Sequence, residues 1–216
     1  MKGLSRSLRY FTLLAGEYIA LSLAIATAGF LLYLLRSNGA NPEAFPIMIL
    51  FVLYLFLIIF SMGHYMIMTS LVIPFNCTRK SLFWGTQYMM LLIAGTICIL
   101  LGIYFGLVTD VGLHGFFRLL PAIAGMFAAS IGLGALLGGI ILKFGRAAVI
   151  VMTIFSGILG GIFGFCCSAF SDAGIDTVFM TFFSENARWI LLTGLAVLLS
   201  GGSINYIVLG KSAVTR

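Results

Sequence analysis

The chain has 216 residues, of which 62% are hydrophobic and 8% charged, and its formal net charge is +6. A mean hydropathy of +1.18 lies far outside the soluble globular range, in which about a quarter of residues carry charge. This excludes a soluble enzyme and identifies a polytopic membrane protein. The basic excess, which would suggest nucleic acid in a soluble chain, is therefore a topology signal, and no nucleic-acid partner is expected.

Lys2, Arg6 and Arg9 precede an apolar run from Phe11 to Leu35, long enough at about 1.5 Å per residue to cross a hydrocarbon core of about 30 Å. Ala26-Thr27-Ala28 resembles a signal-peptide cleavage site, but the apolar run continues through Gly29–Leu35, and the stretch is assigned as span 1, about 11–35. Asn38-Gly39 and Asn41-Pro42 mark a polar loop. Span 2 follows at about 46–73, with Pro46 in its first turn and Pro74 at its end.

A polar island, Phe75–Gly85, then separates two long apolar runs and carries Arg79 and Lys80. Span 3 is placed at about 84–108, a second polar loop at Thr109–Arg118, and span 4 at about 119–142 with Pro121 near its start. Lys143-Phe144-Gly145-Arg146 forms a tight hairpin into span 5, about 147–170. A third loop, Ser171–Arg188, leads to span 6, about 189–209, and the tail ends in Lys211 and Arg216.

Six spans place both termini on one side. The N-terminus, Arg79/Lys80, Lys143/Arg146 and the C-terminus hold nine of the twelve basic residues and no acidic ones, whereas Glu43, Asp110, Asp172, Asp176 and Glu185 all fall in the opposite loops. Both termini are therefore expected in the cytoplasm. The fold class is all-α: one transmembrane domain, 1–216, multi-pass, in the plasma (cytoplasmic) membrane of a bacterium.

Small residues recur at four-residue spacing as Ser130, Gly134 and Gly138 in span 4 and as Ser156, Gly160, Gly164 and Ser168 in span 5, with Gly157 and Gly161 in a neighbouring row. Such rows let helix backbones approach closely where lipid supplies no hydrophobic drive for association. They read as packing of the hairpin between spans 4 and 5, with a moving or dimerising surface as the alternative.

Chemistry-bearing residues are few. Glu17 lies two turns into span 1, where an ionised carboxylate on a lipid face costs at least about 2.5–3.5 kcal/mol. It therefore faces protein, water or headgroups, in structural pairing or in transport. His64, next to Tyr65 in span 2, reads as hydrogen-bonded structure or as a proton relay. Neither His64 nor His114 starts an HExxH sequence, no GxSx motif accompanies a histidine, and the cysteines Cys77, Cys98, Cys166 and Cys167 show no ligand spacing, so no catalytic residue or metal site is assigned. Gly210-Lys211-Ser212 imitates the end of a phosphate-binding loop, but the earlier glycine position holds Asn205 and the stretch closes a membrane helix. The chain itself is expected to bind no cofactor.

Thr78-Arg79-Lys80 followed by Phe83 and Gly85, between spans 2 and 3 of a six-span chain with a basic N-terminus, resembles the first cytoplasmic loop of permease subunits of type 2 exporter-like ATP-binding-cassette (ABC) transporters. The layout is similar over nearly the whole chain, including the long outer loop before span 6 and a tail, Asn205–Arg216. It departs from the family pattern at Asn76 and Cys77, where a glycine often stands, and in its short segment before span 1. The resemblance implies an export path formed with a second permease, a copy or a paralogue, and driven by a separate ATPase subunit that holds ATP and Mg. It implies that Thr78, Arg79, Lys80, Phe83 and Trp84 couple to that ATPase, through a short helix at the membrane surface that Phe83 and Trp84 anchor. Two other readings stay open: a non-transporting membrane scaffold or immunity-type protein, in which the cations only meet lipid headgroups or dock a partner, and a proton-coupled carrier using Glu17 and His64.

Overall fold

The computed structural model describes residues 12, 13, 15–17, 19, 20, 53–65, 79–108, 112–145, 150 and 181–211. Among the described residues the chain is helical and contains no strand. We name the longer elements α1 (Leu53–Tyr65), α2 (Arg79–Val108), α3 (Gly112–Phe144) and α4 (Ala187–Lys211). Their 30, 33 and 25 residues make α2, α3 and α4 about 45, 50 and 37 Å long, each longer than a hydrocarbon core of about 30 Å. These three helices are long and apolar enough to cross a membrane. All of span 5 but Ile150, with its glycines Gly157, Gly160, Gly161 and Gly164, lies outside the described residues, as does most of span 1.

α2, α3 and α4 are each longer than the apolar run that signals it. α2 begins at Arg79 rather than at residue 84, so the basic pair occupies the first turn of the span itself and not a separate helix on the membrane surface. α3 begins at Gly112, so most of the expected loop Thr109–Arg118 is helical. Pro121, expected near the start of the span, lies more than two turns inside α3, where its ring leaves the Phe117 carbonyl without an intrahelical donor. The end of the third loop is helical too: residues 181–185 form a turn, and Asn186 donates its backbone N–H to the Phe182 carbonyl at 3.0 Å and accepts from the N–H of Ile190 at 3.0 Å. The tail expected from Asn205 is helix as far as Lys211. The common cause is that polar residues without a breaker continue a helix as soon as its backbone bonds are satisfied, so hydropathy marks the membrane core and not the helix ends.

Among the described helices the pair in most extensive contact is α3 with α4, held by glycines seven residues apart on both. A side chain added at Gly194 would meet the carbonyl oxygen of Gly125, and one at Gly201 the carbonyl oxygen of Gly132. A Cβ at Gly132 would stand 2.5 Å from the Val197 carbonyl oxygen and 2.6 Å from Leu198 Cα. Only bare backbone allows this approach, which serves close packing in the absence of a hydrophobic drive. The residue numbers rise together along the seam, so α3 and α4 run parallel, and Phe144 and Ala187 stand at opposite ends of the pair.

Gly134 and Gly138 face α1 instead. A side chain at Gly134 would strike Ser61, and a Cβ at Gly138 would lie 2.9 Å from Tyr65 Cβ. Whether α3 also meets span 5, as the four-residue rows suggested, falls outside the described residues. α2 and α3 form an antiparallel hairpin in which Phe105 and Phe116 pack at 5.7 Å. One apolar core, including Leu57, Met89, Met90, Ile93, Phe105, Phe116, Ile123 and Ile131, runs through α1, α2 and α3, and a smaller cluster of Tyr65, Phe83, Ala135 and Leu209 closes one end.

Candidate functional site

That closed end is where the basic helix termini gather. The start of α2, with Arg79 and Lys80, meets α1 through Tyr65, the end of α3 with Lys143 and the end of α4 with Lys211. The opposite end carries the start of α3, with Arg118, and the start of α4, with Glu185 just before it and Arg188 in its first turn. Thr78 lies outside the described residues, and for Arg79 and Lys80 the structure describes the backbone.

Phe83 and Trp84 part company. Phe83 is buried, edge-on to Tyr206 of α4 at 5.3 Å and 71° and to Trp84 at 5.4 Å and 79°. It therefore fastens α2 to α4 and is not the surface anchor that its place in the motif suggested. Trp84 is 57% exposed, as an indole ring at a membrane interface would be. The next turn of α2 is tied down by polar contacts: the Thr86 hydroxyl donates to the Leu82 carbonyl at 2.9 Å, and Gln87 Nε2 donates to the Tyr65 hydroxyl at 2.9 Å. Across the same end, Lys143 Nζ lies 5.2 Å from the centroid of the Phe144 ring. Gly145, in the left-handed region at φ +67, stops α3 by donating its N–H to the Ile141 carbonyl at 2.8 Å, an arrangement that only glycine adopts without strain.

The electrostatics of this end are uneven. Lys143 and Lys211 close helices at C-termini, where the helix dipole favours a cation. Arg79 and Lys80 open α2, which has no acidic residue in its first turn, so they stand against the dipole at a cost of about 0.3–1 kcal/mol each. A cationic pair at a helix N-terminus does not serve the helix that carries it.

One to two turns deeper lie buried polar side chains from two helices, α1 and α4. Ser61, His64 and Asn205 are 0%, 4% and 0% exposed. His64 packs against the Phe60 ring at 5.9 Å. Asn205 faces α3, with its Oδ1 3.5 Å from where a Cβ of Gly139 would be. Among the described residues neither end of its amide has a hydrogen-bond partner, and the Ser61 hydroxyl has none either. Glu17 belongs elsewhere: Ala15 is buried and Ile19 packs on the core, whereas Glu17, about 200° around the helix from Ala15, is exposed. His64 is thus enclosed and Glu17 faces outward.

Reading along the sequence missed Ser61, Gln87 and Asn205 as parts of this end, and also the seam between α3 and α4. The signals existed in a lone amide inside the apolar run of span 6 and in two Gly–x6–Gly pairs, Gly125/Gly132 and Gly194/Gly201. Among the described residues no group of three metal-ligating side chains lies together. No family model, curated protein or solved structure matches the chain.

Proposed function

We propose that this chain is the permease subunit of an ATP-driven ABC exporter, pairing with a second permease and driven by a separate ATPase that docks at the basic end of the bundle in the cytoplasm. The observation that carries the reading is the position of Arg79 and Lys80: two cations on the N-terminus of α2, unfavourable for that helix, at the end where Lys143 and Lys211 also lie. Cations held against the dipole serve an anionic partner outside the helix, and acidic groups on an ATPase supply one. The ties behind them give that contact a mechanical route. Phe83 links the first turns of α2 to Tyr206 of α4, and Gln87 links them to Tyr65 of α1, so force on Arg79 and Lys80 reaches two other helices within about two turns. The carrier alternative draws less support, because Glu17 faces outward and His64 is enclosed.

Charge reversal at Arg79 separates this reading from a scaffold. Arg79→Glu places an acid where the dipole favours one, so the helix keeps or gains stability by about 0.3–1 kcal/mol. The permease-stimulated ATP hydrolysis of the purified complex is expected to disappear. Unchanged stimulation, with the variant folded, contradicts coupling through this end.

A further inference from the structure

α3 changes character at Pro121. From Leu119 to Leu142 none of its residues is exposed, with α1, α2 and α4 against it, whereas Leu113, His114, Phe117 and Arg118 in the preceding turns all are. The glycine seam fixes where the change falls. In the register that sets Asn205 beside Gly139, the first residue of α4, Ala187, stands about level with Pro121, so residues 112–120 run on beyond the start of α4. Gly125, one turn below the proline, is already held against the backbone of Ile190 and Leu191.

The joint between the two parts is weak. Pro121 has no N–H to give to the Phe117 carbonyl, so the first turns of α3 are tied to the rest across a turn that lacks one of its hydrogen bonds. The far end of this arm is Gly112, at φ +61, a left-handed conformation that glycine adopts without strain.

What the arm rests on leaves it room to move. α2 lacks side chains at Gly102 and Gly106, one turn apart. A Cβ at Gly102 would stand 2.9 Å from Phe116 Cε1, and one at Gly106 3.0 Å from Leu113 Cδ2, so the arm meets this part of α2 through the ends of side chains laid over bare backbone. Side-chain ends can turn aside, unlike the backbones that face each other in the seam. Beside these contacts an open groove of about 650 Å³ runs between the two helices, and its α3 wall extends from Leu113 to Leu120. The groove therefore stops where the proline begins.

We propose that residues 112–120 are a flap hinged at Pro121, which swings toward and away from α2 and changes the width of this groove while the rest of α3 stays fixed in the seam. A bend of about 20° at a proline, carried along an arm of about 12–13 Å, moves the far end by about 4–5 Å. The flap rests on the packing of α3 and not on the exporter reading.

The test is pulsed electron paramagnetic resonance on the full chain in nanodiscs, freed of its native cysteines, with spin labels at His114→Cys on the arm and Leu195→Cys on α4. A chain labelled at Ile99→Cys and Leu199→Cys, with no label on the arm, is the reference; all four positions are exposed. The expected distance distribution is about 4 Å broader for the arm pair than for the reference, and Pro121→Ala, which restores the missing hydrogen bond and favours helix, narrows it to the reference width. Equal widths with Pro121 in place overturn the proposal, and so does a broad arm distribution that Pro121→Ala leaves unchanged. Amide hydrogen exchange of the unlabelled chain gives a second readout. Exchange of residues 113–120 is expected to slow about fivefold on Pro121→Ala, the worth of one backbone hydrogen bond, while that of residues 125–141 stays as it was. Slowing spread evenly over α3 would reflect general stability and overturn the hinge.

Discussion

The absence of a side chain does the decisive structural work at Gly201 and Gly132. Any Cβ at Gly201 meets the backbone carbonyl of Gly132, and backbone cannot rotate away as a side chain can. Gly201→Ala is therefore expected to push α4 off α3 and to lower stability by about 1–3 kcal/mol. Gly95, also inside a helix, has nothing within 4 Å of where its Cβ would be. Gly95→Ala is expected to be neutral or to gain about 0.5–1 kcal/mol, because alanine restricts the unfolded backbone. Denaturant titration of the two variants in one detergent checks the pair, and equal effects would contradict the seam. The sequence set Gly134 and Gly138 in a hairpin of spans 4 and 5, a pairing that falls outside the described residues; in the structure both come close to α1, at Ser61 and Tyr65. The sequence could not show the tighter seam, because a row on one helix does not name its partner.

At the scale of helices, the apolar runs of spans 3, 4 and 6 were legible, since lipid admits few polar residues over about 20 positions. The ends were not. Arg79, Lys80 and the turns before Leu119 look like loop by hydropathy, but they contain no residue that stops a helix. The roles of single positions depended on which helix lay opposite: Phe83 was read as an interface anchor and fills the space beside Tyr206. The parallel register of α3 and α4 gives a direct check. A Cβ built at Gly139 lies 3.6 Å from Asn205 Cβ, inside the range of disulfides. In a chain freed of its native cysteines, Gly139→Cys combined with Asn205→Cys is expected to form an intramolecular disulfide on mild oxidation, detected as loss of both thiols by mass spectrometry. Gly139→Cys with Leu191→Cys should not, and the reverse pattern would mean an antiparallel pair.

The molecule as a whole joins an aromatic frame to a charge asymmetry. On α4, Trp189 and Tyr206 are 70% and 44% exposed and about 26 Å apart along the axis, close to the thickness of a hydrocarbon core. Trp84 marks the Tyr206 end on α2. That end carries Arg79, Lys80, Lys143 and Lys211 without an acid among the described residues of the helix termini, and the proposed function has it face the cytoplasm, as the positive-inside rule favours. Parallel α3 and α4 leave Phe144 and Ala187 at opposite ends, the separation that span 5 would cross in the six-span reading. The most direct measurement replaces Lys80, and in a parallel sample Arg188, with a photoreactive amino acid and identifies the adducts formed in native membranes. The account predicts a crosslink from position 80 to an ATP-binding-cassette ATPase on the cytoplasmic face and none from position 188. A crosslink to such an ATPase from position 188 alone, or from neither position, would contradict it.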